Sequence, residues 1–149
     1  MVRLATLEDA DELAVILRAA MRGAMPRLPD LHTPEDDRRF LREIVLPNEE
    51  VWVVEREGAI VGFAALGSRE GVSFLQHIYV APEHQSRGLG TELINRAKEG
   101  LPAGFRLWVF QRNEGARRFY ERHGCRLVEL TDGSGNEEKE PDALYEWVP

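Results

Sequence analysis

The chain is poor in cysteine. Cys125 is the single one among 149 residues, so no internal disulfide can form, and the sequence fits a reducing, cytoplasmic compartment. At the start of an apolar strand, that residue reads as a small core hydrophobe before it reads as a catalytic thiol. Net positive charge is also missing: 26 acidic residues against 19 basic ones give a formal charge of −7. Nucleic acid is thereby excluded as the main partner, because phosphate contacts need a basic surface. The acidic balance suits a cationic substrate such as an amine, and equally suits a surface that only keeps the protein soluble. Lysine is nearly absent, with Lys98 and Lys139 as its two examples, and that bias has no functional reading. No apolar run approaches the roughly 20 residues that span a bilayer. Met1-Val2-Arg3-Leu4-Ala5-Thr6 leads directly into strand-like and cap-like sequence with no signal-peptide core, so no membrane partner is expected. The four histidines, at 32, 77, 84 and 123, include no close pair and no paired cysteine accompanies them, so no metal site is expected. There are no internal repeats and no dividing linker. Apolar and charged contents of 43% and 30% are ordinary, and residues 1–149 are expected to form a single domain.

The local patterns give an order of elements. Val2 to Ala5 reads as a strand. Thr6 and Asp9 form a capping box, and apolar residues from Leu7 to Met21 recur at helical spacing until Gly23, Pro26 and Pro29 break the pattern. Thr33, Pro34 and Asp36 open a second helix, with Phe40, Leu41, Ile44 and Val45 on its apolar face and Pro47 expected to end it. Val51–Glu55 and Ile60–Leu66 flank an acidic-glycine turn, a hairpin signal. Phe74–Val80 is the next strand, Thr91–Glu99 a helix and Phe105–Phe110 a strand. Asn113 caps a helix that runs to His123, with Gly124 as its C-cap. Cys125–Leu130 is a strand, Thr131–Pro141 an acidic, glycine-bearing loop, and Ala143–Val148 the closing strand. Trp52, Phe63, Phe74, Ile78, Leu93 and Val109 are expected in the core.

The most informative stretch is Gln85-Ser86-Arg87-Gly88-Leu89-Gly90, set between the Phe74–Val80 strand and the helix that begins at Thr91. A strand that ends in a glycine turn and enters a helix is an anion site, because free N–H groups and the positive helix end point the same way. Gly88 and Gly90 let the backbone approach a phosphate closely, and Arg87 adds a cation able to make bidentate contacts. The Walker spacing is absent, and Leu93 stands where the dinucleotide fingerprint needs its third glycine. What remains is Q-x-x-G-x-G preceded by I-Y-V-A-P.

That combination resembles the coenzyme A signature of the GNAT N-acetyltransferase superfamily. A second stretch agrees: Asn113, then Ala116-Arg117-Arg118-Phe119-Tyr120, then Gly124-Cys125, is similar to the family's N-x-x-A-x-x-[FL]-Y-x-x-x-G-[FC] element. The resemblance is strong over roughly residues 50 to 130, and implies a mixed, mostly antiparallel sheet of six or seven strands with helices on both faces. Phe74 to Phe110 would form a right-handed parallel crossover, whose two strands splay apart in this family to admit the pantetheine arm of acetyl-CoA.

Acetyl transfer from a thioester to an amine needs a hold on the coenzyme, a polarised carbonyl, a neutral amine and an acid for the thiolate. The resemblance assigns the hold to Gln85, Ser86, Arg87, Gly88, Leu89, Gly90 and Thr91. Backbone N–H groups of Ile78, Tyr79 and Val80 are the candidates for polarising the carbonyl, although an ordinary buried strand would look the same. Asn113 could cap its helix, touch the pantetheine, or both. Tyr120 is the acid candidate at the family's tyrosine position: a phenol near pKa 10 can protonate a thiolate without ionising at neutral pH. A helix tyrosine packed beside Phe119 is the alternative. For the base, His77 has a suitable pKa, but strand alternation sets it on the face opposite Gln76, Ile78 and Val80. Glu70 and His32 are weaker candidates, and His84 lies too close to the phosphate turn. The expected acceptor is a small-molecule amine or a peptide or protein amine, shaped by Arg22–His32 and Thr131–Asp142. A homodimer through the last strand is compatible with the sequence. Two other readings stay open: a non-catalytic acyl-CoA-binding domain of the same fold, and a ligand-free partner-binding protein.

Overall fold

The computed structural model describes residues 1–149. Its strands are β1 (Val2–Leu4), β2 (Glu50–Arg56), β3 (Ala59–Arg69), β4 (Val72–Val80), β5 (Phe105–Phe110), β6 (Arg126–Leu130) and β7 (Asp142–Trp147). Its α-helices are α1 (Ala10–Ala24), α2 (Pro34–Phe40), the short α3 (Leu46–Asn48), α4 (Leu89–Gly100) and α5 (Glu114–Arg122). One seven-stranded sheet carries them, in the order β1-β2-β3-β4-β5-β7-β6. All neighbours are antiparallel except β4 and β5. This is the mixed, mostly antiparallel sheet that the sequence implies.

Local signals start the helices where they were expected. The Thr6 N–H donates to Asp9 Oδ2 at 2.8 Å, and Asp9 is held in turn by Arg3 at 2.9 Å. At α2, Asp36 N–H donates to Thr33 Oγ1 at 3.1 Å while Thr33 N–H donates to Asp36 Oδ2 at 2.9 Å. Each box satisfies amides that helix geometry leaves without partners. Pro47 does not end the second helix, which runs on to Asn48. The turn before it, Leu41–Val45, is π-helical, with Leu46 N–H bonded to Leu41 O. A π turn displaces the carbonyls that a proline ring would strike and accommodates its missing N–H.

Two apolar clusters lie on opposite faces of the sheet. On one face α4 and α5 pack Leu89, Leu93, Ile94, Ala97 and Tyr120 against Val54, Ala64, Leu66 and Leu75. On the other face α1 and the π turn pack Leu13, Ala14, Leu41 and Val45 against Val51, Val53 and Phe63. Phe63, Phe74, Leu93 and Val109 are buried. Trp52 and Ile78 are half-buried against the first cluster. Trp52 stays at the rim because its indole N–H donates to Glu50 at 2.7 Å and the Arg96 guanidinium covers its ring at 3.9 Å.

Two features bear on function. β4 and β5 pair only at Phe74 and Arg106 and diverge beyond that point, opening a wedge in the middle of the sheet. The last strand, β7, lies between β5 and β6, so its hydrogen-bonding edges are both occupied. Edge-to-edge pairing through the last strand is therefore corrected: the free edges are β1 and β6, because the chain places β7 inside the sheet.

Candidate active site

The wedge between β4 and β5 is a cleft of about 1280 Å³. Its walls bring together Leu75 to Val80 of β4, Trp108 to Phe110 of β5, the turn before α4, and one face of α5. Ala20, Met21 and Ala24 of α1 and the Thr131–Asn136 segment complete one end. Of the residues singled out in the sequence, His77, Ile78, Tyr79, Val80, Gln85, Ser86, Gly88, Leu89, Gly90, Thr91, Asn113 and Tyr120 all line this cleft. Arg87 is exposed and is not part of the wall.

The register explains why β4 offers free amides. Ala81 N–H donates to Val61 O at 2.8 Å, and β3 and β4 stay paired as far as Val80 opposite Gly62. Antiparallel alternation then turns the N–H and C=O of Ile78 and Val80 away from β3 and into the wedge. Val80 O confirms that direction by accepting a hydrogen bond from Gln85 Nε2 at 3.1 Å. Gln85 thus ties the turn back to the end of the strand.

The turn itself leaves backbone amides open. Gly88 adopts φ +80°, the left-handed conformation that glycine takes without strain, and caps α4. A Cβ added there would meet no atom within 4 Å, so this side of the turn stands open. The helical ladder begins with Glu92 N–H bonded to Gly88 O at 3.1 Å. The amides of Leu89, Gly90 and Thr91 precede it and have no helical partner. Gly90 is required for a different reason than the sequence suggested. A Cβ on it would lie 3.0 Å from Phe119 Cε1, so its bareness lets α5 close against α4.

Across the cleft, Asn113 Oδ1 accepts from Ala116 N–H at 3.3 Å and caps α5. Tyr120 is 7% exposed and reaches both the core and the cleft wall. Burial, with Tyr79 and Cys125 nearby, pushes its phenol well above the ordinary range, so the hydroxyl stays protonated. Burial also pushes Tyr79 up to about 12, helped by Glu138. The Cys125 thiol is buried and pushed up to about 11 by the same cause, which leaves it inert.

His77 lines the cleft together with Gln76, Ile78 and Val80. Alternation holds from His77 to Val80, since His77 and Tyr79 face Phe40 and Phe63 while Ile78 and Val80 pack against the other cluster, and Gln76 alone departs from it. The register slips between Ala65 and Leu66, which pair with His77 and Leu75 and leave Gln76 as the extra residue. In addition, a strand at the edge of a wedge is open from both faces. Burial pushes the imidazole down to about 4, with Arg69 adding to the effect. His77 is therefore neutral at pH 7 and a weak proton acceptor.

The acidic loop before β7 is held by its own contacts. Arg112 grips the buried Glu140 at 2.5 Å, Asn136 Nδ2 donates to Glu140 O at 2.8 Å, and His32 Nε2 meets Glu137 Oε1 at 2.8 Å. Two of its carboxylates thus already have cationic or imidazole partners. The His32–Glu137 contact joins the segment between α1 and α2 to the segment between β6 and β7. Arg69, Trp108 and Arg112 also line the cleft without any motif in the sequence to mark them. No three His, Cys, Asp or Glu side chains gather as a metal set, and no helix is long and apolar enough to cross a membrane.

Residues 17–125 match the model of the acetyltransferase (GNAT) family. The chain belongs to that family. It is 34% identical over 90 residues to the peptidyl-lysine N-acetyltransferase YiaC of Escherichia coli, a match that covers 60% of this chain and 59% of YiaC. It is 30% identical over 150 residues to an uncharacterized N-acetyltransferase of Archaeoglobus fulgidus, covering 91% of this chain and 99% of the relative. The fold matches the PaiA N-acetyltransferase of Thermoplasma acidophilum, crystallised with coenzyme A, at a TM-score of 0.77 and 19% identity over 100% and 98% of the two chains. The GNAT architecture implied by the Q-x-x-G-x-G and N-x-x-A-x-x-F-Y stretches is the one observed.

Proposed function

We propose that the protein is an N-acetyltransferase that uses acetyl-CoA and acetylates an amine by direct attack in a ternary complex, with no acyl-enzyme. The observation that carries this reading is the wedge, with an amide-rich helix start at one side and Tyr120 at the other. Bound acetyl-CoA supplies the thioester from which the acetyl group is taken. The Ser86–Thr91 backbone would hold the pyrophosphate, where open amides and the α4 dipole favour negative charge. Gln85 supports the turn and Arg87 adds charge from outside the wall. Amides of Ile78 and Val80, beside Tyr79, would polarise the thioester carbonyl. Asn113 would accompany the pantetheine while capping α5. Tyr120 would donate its proton to the departing thiolate, and burial keeps that proton in place until needed. His77 would shape the acceptor end rather than carry the amine's proton.

The acceptor is a small-molecule amine or an amine on a peptide or protein. The naming of YiaC as a peptidyl-lysine N-acetyltransferase supports including protein lysines. The sheet that runs from Val2 to Trp147 supports reading the chain as a single acetyltransferase domain. The buried, unpaired thiol of Cys125 supports a cytoplasmic setting. The net charge of −7 argues against nucleic acid as partner. A homodimer formed by strand pairing would use a free sheet edge, β1 or β6. The deciding experiment incubates the protein with acetyl-CoA and a panel of amines, including a lysine peptide and spermidine, and reads free thiol. Amine-dependent thiol release is expected. Binding of acetyl-CoA without it would indicate a regulatory acyl-CoA-binding domain, and no binding would indicate a partner protein.

A further inference from the structure

We propose that Glu49 is the base that receives the proton of the acceptor ammonium, through a water at the cleft wall. The proposal rests on the acetyltransferase reading above. Glu49 stands where α3 turns into β2. Its Cγ lies 3.1 Å from the point a Cβ on Gly67 of β3 would occupy, and Gln76 Cγ lies 3.3 Å from the same point. Glu49 and Gln76 therefore meet over a residue that has no side chain to separate them. Glu49 Oε1 is buried without a hydrogen-bond partner, and so is His77 Nδ1, one position beyond Gln76. A buried carboxylate oxygen without a partner is rare in native proteins and calls for a water or a chemical role. Gln76 and His77 both line the cleft, at the end that also contains Arg69. The amide oxygen of Gln76 is engaged by Arg69 Nε at 2.8 Å. Phe40 closes the outer side with its ring edge-on to His77 at 5.7 Å.

The electrostatics suit the role. Burial raises the Glu49 carboxyl to about 7, and the opposing charge is Arg69 on β3. On β4 it meets the neutral Gln76, with His77 neutral beyond it. A base matched to the working pH is the efficient one. The buried imidazole of His77, near 4, is the poorer acceptor. In the reaction the ammonium gives one proton to Glu49. The free amine forms the C–N bond as the C–S bond breaks and its electron pair stays on sulfur. The sulfur takes the phenolic proton of Tyr120, and the nitrogen sheds its second proton to restore that phenol. Glu49 then passes its own proton to solvent, so one proton is released per acetyl group moved.

The test measures kcat and kcat/KM against pH for the wild type, Glu49→Gln and Glu49→Asp, with acetyl-CoA and the lysine peptide or spermidine. Calorimetry reports acetyl-CoA affinity alongside, and a 13C carboxyl titration follows the glutamates. The wild type should show an acidic limb near pH 7. Glu49→Gln should lose that limb and about 10²-fold or more in kcat, with acetyl-CoA affinity unchanged. Glu49→Asp should keep a limb. A Glu49→Gln enzyme with wild-type rate and limb, or one changed in KM alone, would overturn the assignment. So would a titration in which the Glu49 carboxyl falls in the ordinary range, a result that stands even where a variant does not fold. No thiol release from the wild type with any amine would instead refute the acetyltransferase reading and remove this inference with it.

Discussion

Replacing Tyr120 with phenylalanine isolates one oxygen atom. The ring sits at 7% exposure, 5.5 Å from Phe119 and 6.3 Å from Tyr145 between centroids, and a phenylalanine ring fills the same space. Stability should therefore change by no more than about 1 kcal/mol, the usual net value of one hydrogen-bonding group. Binding of acetyl-CoA should also survive, because the turn proposed to hold its pyrophosphate lies on a different element. Catalysis should not. Loss of a positioned proton donor costs roughly 10²–10⁴ in rate, or about 2.7–5.5 kcal/mol at the transition state. The loss should fall in kcat, since the proton is needed only as the thiolate departs. A pre-steady-state measurement of thiol release reads this step even where product release limits turnover. The raised phenol adds a second signature: the wild-type rate should show no basic limb from Tyr120 below about pH 10, the ordinary phenol value. Full single-turnover activity in Tyr120→Phe, with activity abolished in His77→Gln, would refute the reasoning and move the acid to β4.

Other perturbations test other parts of the structure. Gly88→Asp places a carboxylate, in a strained left-handed position, where the open side of the turn would receive pyrophosphate; calorimetry should show acetyl-CoA affinity lowered tenfold or more, at least about 1.4 kcal/mol. Gly90→Ala pushes a methyl to 3.0 Å from Phe119, and urea unfolding should register an overpacking loss of about 1–3 kcal/mol. Phe63→Ala empties a site with 0% exposure and should cost about 3–5 kcal/mol in the same assay. His32 has its pKa raised by Glu137, so the contact stabilises the fold below the ordinary histidine pKa of about 6.5 and is lost as pH rises through the raised value. The stability gap between wild type and Glu137→Gln should therefore be present near pH 6 and shrink toward pH 8; a gap independent of pH would contradict the ion pair.

What could be read from the sequence divides according to how local its cause is. The capping boxes at Thr6 and Thr33 act over three residues, so their letters suffice. The turn before α4 was legible for the same reason, since a glycine in the left-handed region and a helix start are both local events. Gly90 shows the limit. Its place in the motif was plain, but the reason for it is the ring of Phe119, 29 positions further along the chain. Pro47 was misread because the relief, a π turn at Leu41–Val45, leaves no mark in composition. The interior place of β7 was hidden because strand order is set by long-range pairing.

The same limit holds for His77 on the cleft wall and for Glu49 behind Gln76. Strict alternation sets His77 opposite Ile78 and Val80, as observed, but it misplaces Gln76 and hides the cleft's opening to both faces, because a slipped register and a gap in the sheet depend on strands distant in sequence. Glu49 had no signal at all: Glu49-Glu50 before an apolar strand is an ordinary surface pattern. It becomes chemically distinct only when Gly67 and Gln76 are brought to it and its carboxyl loses water. Tyr120 lies between these cases. Its helical spacing fits a core tyrosine and its motif a place at the cleft, and the ring joins the core cluster while the same residue lines the cleft. Features set by local backbone geometry, such as the turn before α4, can be found by pattern. Features that depend on how far folding removes a group from solvent, as at Glu49 and His77, cannot, which is why the turn was legible and the buried carboxyl was not.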